Sequence, residues 1–256
     1  MSETEREELP ALAIRTLISG CHILHYHQIL DAYGHLSVRH PTRPDVFLLP
    51  KNAAPANVKS PDDIVQYYVS DASAVDAASP SGYVERFIHS EIYKKYPDVH
   101  SIVHSHASAV LPYTITGNSV PLFDIADHYG ESDIHDLLVR NQGLGEALSD
   151  SISKDIQGAV HPVVLMRGHG FTAVGKSIEE SVFRSIYTAE NARNQTVALT
   201  LTNSMGLDNS GSRRGIQYLR DSEISPTTEM GQWSCMRPWN LWVREVEAAA
   251  LYVNLA

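Results

Sequence analysis

The sequence predicts an α/β fold built on a mixed central sheet. Three observations carry this. Apolar residues recur at helical spacing in long stretches, short apolar runs sit between those stretches, and the two patterns alternate irregularly without an internal repeat. At 256 residues the chain fits one large domain, or at most two, with enough length for a real core.

Residues 1–8 read as a frayed N-terminus. Residues 9–30 read as the first helix, striped by Leu12, Leu17, Ile18, Ile23 and Leu24, with Gly34 helping to end it. Residues 36–39 and 46–49 are two strands joined by a turn at Pro41 and Pro44, and 64–69 is a third. The small residues of 71–82 form a loop. Residues 83–96 make an amphipathic helix packed through Val84, Phe87, Ile88 and Ile92, and Pro97-Asp98 ends it. An apolar strand from Val99 leads into His104, followed by a short helix through Ala109-Val110-Leu111. Residues 120–125 and 163–166 are strands, and 137–151 is a helix. The long helix 177–201 has Ser177 as its N-cap, with Glu179 and Glu180 in its first turn. Residues 203–216, rich in Gly, Asn and Ser, read as a mobile loop. The segment after it carries Trp233, Trp239 and Trp242 with Pro226 and Pro238, too apolar for an unattached tail. The expected organisation is a main domain over 9–202, with 203–256 packing on it or closing over a neighbouring subunit's site, where Tyr218 or Tyr252 could reach.

Composition narrows the function. A net charge of -10 disfavours nucleic acid and anionic membranes as partners, while leaving room for a small anionic substrate held by local arginines or a metal. No uncharged apolar run is long enough to span a bilayer, and the acidic start lacks the features of a leader peptide. Two cysteines, Cys21 and Cys235, imply no disulfide framework and suit a reducing cytoplasm; they also exclude zinc held by several thiolates.

The chemistry concentrates in His104-Ser105-His106, Gly168-His169-Gly170 and Glu85. In a strand, alternate residues share a face, so His104 and His106 point the same way. Glycines flanking His169 permit unusual backbone shapes and remove bulk around the imidazole. Glu85 shares a helix face with His89, four residues on, with Glu91 and Asp98 as chemical rivals. Three imidazoles and one carboxylate form a complete ligand set for a divalent ion, and zinc, manganese, cobalt and iron all accept it.

The motifs Ser81-Gly82-Tyr83-Val84-Glu85-Arg86-Phe87-Ile88-His89, Val103-His104-Ser105-His106 and Gly168-His169-Gly170 resemble the class II aldolase/adducin family, over about residues 9–201. The resemblance implies that Glu85, His104, His106 and His169 hold one divalent metal. It also implies a three-layer α/β/α fold around a mostly antiparallel sheet, and a homotetramer with sites between subunits. Gly34-His35-Leu36-Ser37 stands where the sugar-phosphate aldolases carry a phosphate-binding G-N-x-S segment, and Tyr83-Val84-Glu85 lacks their serine pair. A phosphorylated sugar is therefore disfavoured, since an imidazole and a phenol do not replace small hydroxyls and amides. The stretch Asp31-Ala32-Tyr33-Gly34-His35-Leu36-Ser37-Val38-Arg39-His40-Pro41 is most similar to the decarboxylase branch, which includes the hydroxy-methylpyridine dicarboxylate and dihydroxyphthalate decarboxylases.

The expected activity is a metal-dependent carbon–carbon lyase that decarboxylates a hydroxy-aromatic or keto acid, with charge developing on an enolate or phenolate oxygen. Glu85, His35, Asp127 and His128 are the catalytic candidates, the last three as proton donors. Arg39, Arg167 and Arg184, with Lys51 behind them, are candidates to clamp a second carboxylate. Three alternatives share or lack the metal site. They are an aldolase, tautomerase, dehydratase or epimerase on a non-phosphorylated sugar acid, a non-haem iron oxygenase, and a non-catalytic adducin-like binding domain.

Overall fold

The structure, a computed structural model, describes residues 3–116, 120–152, 161–204 and 215–256. Among the described residues seven strands form one sheet: β1 (His35–Arg39), β2 (Val46–Pro50), β3 (Ile64–Tyr68), β4 (Ser101–Ser105), β5 (Leu122–Phe123), β6 (Val163–Met166) and β7 (Gly170–Gly175). Their order is β3-β2-β1-β4-β7-β6-β5. Every neighbouring pair is antiparallel except β5 with β6. The expected α/β class with a mixed, mostly antiparallel sheet is the one observed.

Among the described residues there are six helices: α1 (Glu3–Tyr26), α2 (Arg86–Lys95), α3 (Gln142–Ser151), α4 (Ile178–Ser204), α5 (Asp221–Ser234) and α6 (Met236–Ala248). Strand alternation sorts side chains into two cores. On one face Leu36, Val103, Phe171 and Ala173 pack with Leu17 and Leu24 of α1, Val182 and Ala189 of α4, and Trp239 and Trp242 of α6. On the other, Phe47, Ile102, Val164 and Val174 meet Ile88 and Ile92 of α2 and Leu144 and Leu148 of α3. Each fully buried Leu or Phe contributes about 1.5–3 kcal/mol. The result is the three-layer α/β/α arrangement.

Local signals account for several helix ends. Asn141 caps α3 by accepting the Leu144 N–H at 2.9 Å, and Ser177 accepts the Glu180 N–H at 3.2 Å at the head of α4. Other boundaries differ from the sequence reading. α1 begins at Glu3, inside the stretch read as frayed. The strand expected over 120–125 shrinks to Leu122–Phe123, and the short helix at 109–111 is a 3-10 turn at Leu111–Thr114. β7 was not anticipated. The loop expected over 203–216 falls largely on residues outside those described. The tail forms α5 and α6, which bury Trp239 and Trp242 and leave Trp233 74% exposed. Among the described residues no helix is long and apolar enough to cross a membrane.

Candidate metal centre

Four elements converge at one end of the sheet, on the α2/α3 side. Register sets His35 of β1 opposite His104, and His104 opposite Thr172 of β7. β4 ends at Ser105, whose hydroxyl donates to the Ile29 carbonyl at 2.6 Å and accepts the Ala107 N–H at 3.1 Å. That turn sends His106 out just beyond the strand. Between β6 and β7 the chain reverses through Gly168, whose φ of 64° is a left-handed conformation that favours glycine. A side chain on Gly170 would lie 2.0 Å from the Ser105 carbonyl oxygen, so only glycine lets these backbones touch. His169 sits between the two.

Glu85 departs from the sequence reading. It is not on a helix face but at the N-cap position of α2 (φ -84°, ψ 18°), and its side chain makes no capping bond. Its Oε1 accepts the Val139 N–H at 3.0 Å, and Oε2 faces the histidines. One ligand atom from each of Glu85, His104, His106 and His169 lies within 4.8 Å of the others. The Nε2 atoms of His104 and His106 are 3.0 Å apart, and those of His106 and His169 are 3.1 Å apart. Glu85 Oε2 lies 3.6 Å from His104 Nε2 and 3.8 Å from His169 Nε2. Ligands about 2.0–2.1 Å from one zinc-sized ion stand roughly 3.4 Å apart in a tetrahedron, close to this spacing.

The outer nitrogens say which way the lone pairs point. Asp31 lies 3.2 Å from His106 Nδ1 through both carboxylate oxygens, and also accepts the N–H groups of Tyr33 and Gly34. The His106 bond leads in holding Asp31 far below the usual carboxylate range. Thr172 donates its hydroxyl to Met166 Sδ, so it accepts from His104 Nδ1, 3.4 Å away. With Nδ1–H of His104 and His106 committed outward, their Nε2 atoms offer lone pairs to the centre. Burial disfavours the charged form of two of the rings, pushing His104 well below its ordinary value and His169 down to about 4. Burial also pushes Glu85 up to about 7, against the pull of the Val139 N–H. Neutral imidazoles at His104 and His169 do not stabilise a buried carboxylate; a divalent cation would. The donor set fits such an ion.

The cluster opens onto a cavity of about 400 Å³ walled by Tyr33, His35, Asn52, Tyr83, His106 and His169. His35 is thus beside the centre. The other candidates lie elsewhere. Arg39 is buried at the far end of β1, where its guanidinium donates to the carbonyls of Pro44, Tyr93, Tyr96 and Val99. Arg184 pairs with Glu180 on α4, and Lys51 with Asp63 at 2.6 Å. Arg167 pairs with Asp124 and does not line the cavity. Asp127 is exposed on a 3-10 turn; His128 stacks on Phe123 and borders a separate cleft with Glu146 and Asp150. Tyr252 packs against His22 and His25 of α1, and Tyr218 is 71% exposed. Asp31, Asn52 and Thr172 had no assigned role in the sequence reading. Asp31 stood within the quoted motif, but nothing in its spacing pointed at His106.

This sheet and this cluster describe a three-layer α/β/α scaffold with a candidate divalent-metal centre. The family model described as Class II Aldolase and Adducin N-terminal domain matches residues 15–196, and the chain belongs to that family. The chain is 55% identical to Decarboxylase tropJ of Talaromyces stipitatus, over 97% of this chain and 99% of that one. It is 31% identical to a 3,4-dihydroxyphthalate decarboxylase of Terrabacter sp., over 41% of this chain and 46% of that one. An L-fuculose 1-phosphate aldolase structure from Glaciozyma antarctica superposes with a TM-score of 0.67 at 16% identity, covering 94% and 91% of the two chains, a likeness of fold alone. The protein is an enzyme of the lyase class, with a decarboxylase role supported by its relatives.

Proposed function

We propose that the protein is a divalent-metal-dependent decarboxylase of a small hydroxy-aromatic or keto carboxylic acid. Glu85, His104, His106 and His169 are its ion ligands. The observation that carries this reading is the convergence of those four ligand atoms beside a cavity that Glu85, His106 and His169 line, in a chain so similar to a decarboxylase. Zinc, manganese, cobalt and iron all suit the donor set.

Carbon–carbon cleavage leaves an electron pair that must spread onto oxygen, and the bound ion supplies a Lewis acid for that charge. The chain supplies the rest. Asp31 and Thr172 fix the His106 and His104 rings. Tyr33 and Tyr83 wall the cavity with aromatic surface suited to a planar substrate, and Asn52 adds a polar amide. Of the three proton-donor candidates only His35 lines this cavity, so His35 is the group to hold a proton against the substrate. A homotetramer, a cytoplasmic location and a main domain over 9–202 belong to the same proposal.

The test is to assay carbon dioxide release from a panel of hydroxy-aromatic and keto acids, before and after chelation and after readdition of each metal. Release that chelation abolishes and metal restores is expected. Aldehyde products without carbon dioxide would move the reading to an aldolase, and full activity in the chelated protein would overturn it.

A further inference from the structure

Behind His35 runs a line of buried side chains that the ion ligands do not use. His35 Nδ1 is 2.7 Å from His89 Nε2, and His89 Nδ1 is 2.6 Å from the Ser37 hydroxyl. Ser37 Oγ is 2.7 Å from the Tyr93 hydroxyl. All four residues are almost fully buried. The one unpartnered polar atom along this line is His35 Nε2. Because Nδ1 turns inward to His89, Nε2 is the nitrogen left for the cavity that His35 lines.

The direction of the protons along the line follows from its inner end. Tyr93 has two possible acceptors, Ser37 Oγ at 2.7 Å and the His100 carbonyl at 3.4 Å. That carbonyl already accepts the Arg39 N–H at 2.8 Å. The 2.7 Å bond is the better one, and the His100 carbonyl keeps its Arg39 partner. Tyr93 therefore donates to Ser37, and Ser37 donates to His89 Nδ1. A neutral His89 then carries its proton on Nε2 and donates to His35 Nδ1. A neutral His35 is left with its proton on Nε2. The reverse polarity would put a bare lone pair at His35 Nε2 and end the line on the long contact to His100.

We propose that His89, Ser37 and Tyr93 are positioning residues that hold the His35 ring with its proton on Nε2. His35 then meets a substrate as an N–H donor, not as a base. The proposal rests on the reading of this cavity as the substrate site. Such a donor suits an anionic oxygen, either the carboxylate of an arriving acid or the oxygen that collects charge as the carbon–carbon bond breaks. It also explains why a polar atom is buried without a protein partner: an unmade hydrogen bond there is completed by the ligand.

The direct test is a two-bond proton–nitrogen correlation spectrum of zinc-loaded protein labelled with ¹⁵N-histidine, with the His35 signals assigned by their loss in His35→Gln. The Nε2–H pattern is expected; an Nδ1–H or doubly protonated His35 overturns the proposal. Two substitutions extend it. His89→Leu removes the donor to Nδ1. It should mix the His35 tautomers and lower kcat about 10–100-fold, the range of lost orienting partners, with KM and bound zinc unchanged. His89→Gln keeps an amide donor and should keep both the Nε2–H pattern and most of kcat. If the leucine variant does not fold, Ser37→Ala takes its place with the same expected tautomer mixing. Unchanged kcat and tautomer in the folded variant would overturn the proposal. The spectrum involves no substrate. A panel yielding no carbon dioxide would therefore remove the decarboxylase reading while the tautomer stands or falls by itself.

Discussion

Two carboxylates are buried to nearly the same degree, Asp63 ahead of β3 and Glu85 ahead of α2, and their surroundings oppose each other. Burial alone would raise Asp63, but the Lys51 ammonium at 2.6 Å and the N–H groups of Lys59 and Ser60 hold it down at about 2. Glu85 has a single N–H, from Val139, and burial pushes it up to about 7. The chain satisfies one acid completely and leaves the other facing the imidazoles of His104 and His169. The first acid holds a corner of the fold together. The second is a candidate binding position, one that a cation would complete.

The sharpest way to break this comparison is to remove an imidazole beside Glu85. His104→Ala or His169→Ala should abolish stoichiometric metal in elemental analysis and reduce kcat/KM by about a thousandfold or more, ~4 kcal/mol of transition-state stabilisation. Retained metal and activity would sink the assignment. Next come the acids themselves, where the two should respond with opposite signs. In metal-free protein, urea unfolding should show Asp63→Asn destabilised by about 1–3 kcal/mol, while Glu85→Gln is neutral or stabilised. In metal titrations Glu85→Gln alone should lose affinity. Equal destabilisation of both would erase the distinction.

Asp31→Asn probes the support of His106. It should weaken metal binding by about 10–100-fold and leave folding intact, as competition with a chelator of known affinity would reveal. The smallest effect is a pH effect at Asp63. Its folded pKa lies below the ordinary 3.8, so its contribution is complete above about pH 4 and is lost as pH falls toward about 2. Half-exposed Lys51 screens the pair, so the loss is about 1 kcal/mol. Asp63→Asn should flatten that limb of the stability curve; an unchanged slope would show that other carboxylates set it.

Much of this was legible in the sequence. The three candidate histidines stand out by residue type and spacing, Glu85 is set apart from Glu91 and Asp98 only by the family resemblance, and apolar periodicity located most helices and strands. What was hidden was hidden for physical reasons. β7 starts at a glycine and mixes Phe171, Thr172 and Ala173 with both faces buried, so it shows no clean alternation of apolar and polar. The helix at 83–96 starts later than its pattern because Val84 is half-exposed on the cavity rim and not in the packing stripe. That shift frees the Glu85 side chain from the helix face. In α6, Pro238 falls in the first turn, where proline is tolerated, so it masked a helix that Trp239, Trp242 and Val246 mark at helical spacing. Long-range partners such as Asp31 with His106, or Ser37 with His89, lie 75 and 52 residues apart and leave no local trace.

The contact of Gly170 with the Ser105 carbonyl reaches further than the turn it shapes. It pins one ligand-bearing backbone segment onto another with no side chain between, so the spacing of His106 and His169 belongs to the main chain. The residues lining the rim, Tyr33, Asn52 and Leu138, sit on connecting segments outside the strands. Changes to the rim would therefore reshape the cavity while leaving the spacing of the candidate ligands unaltered.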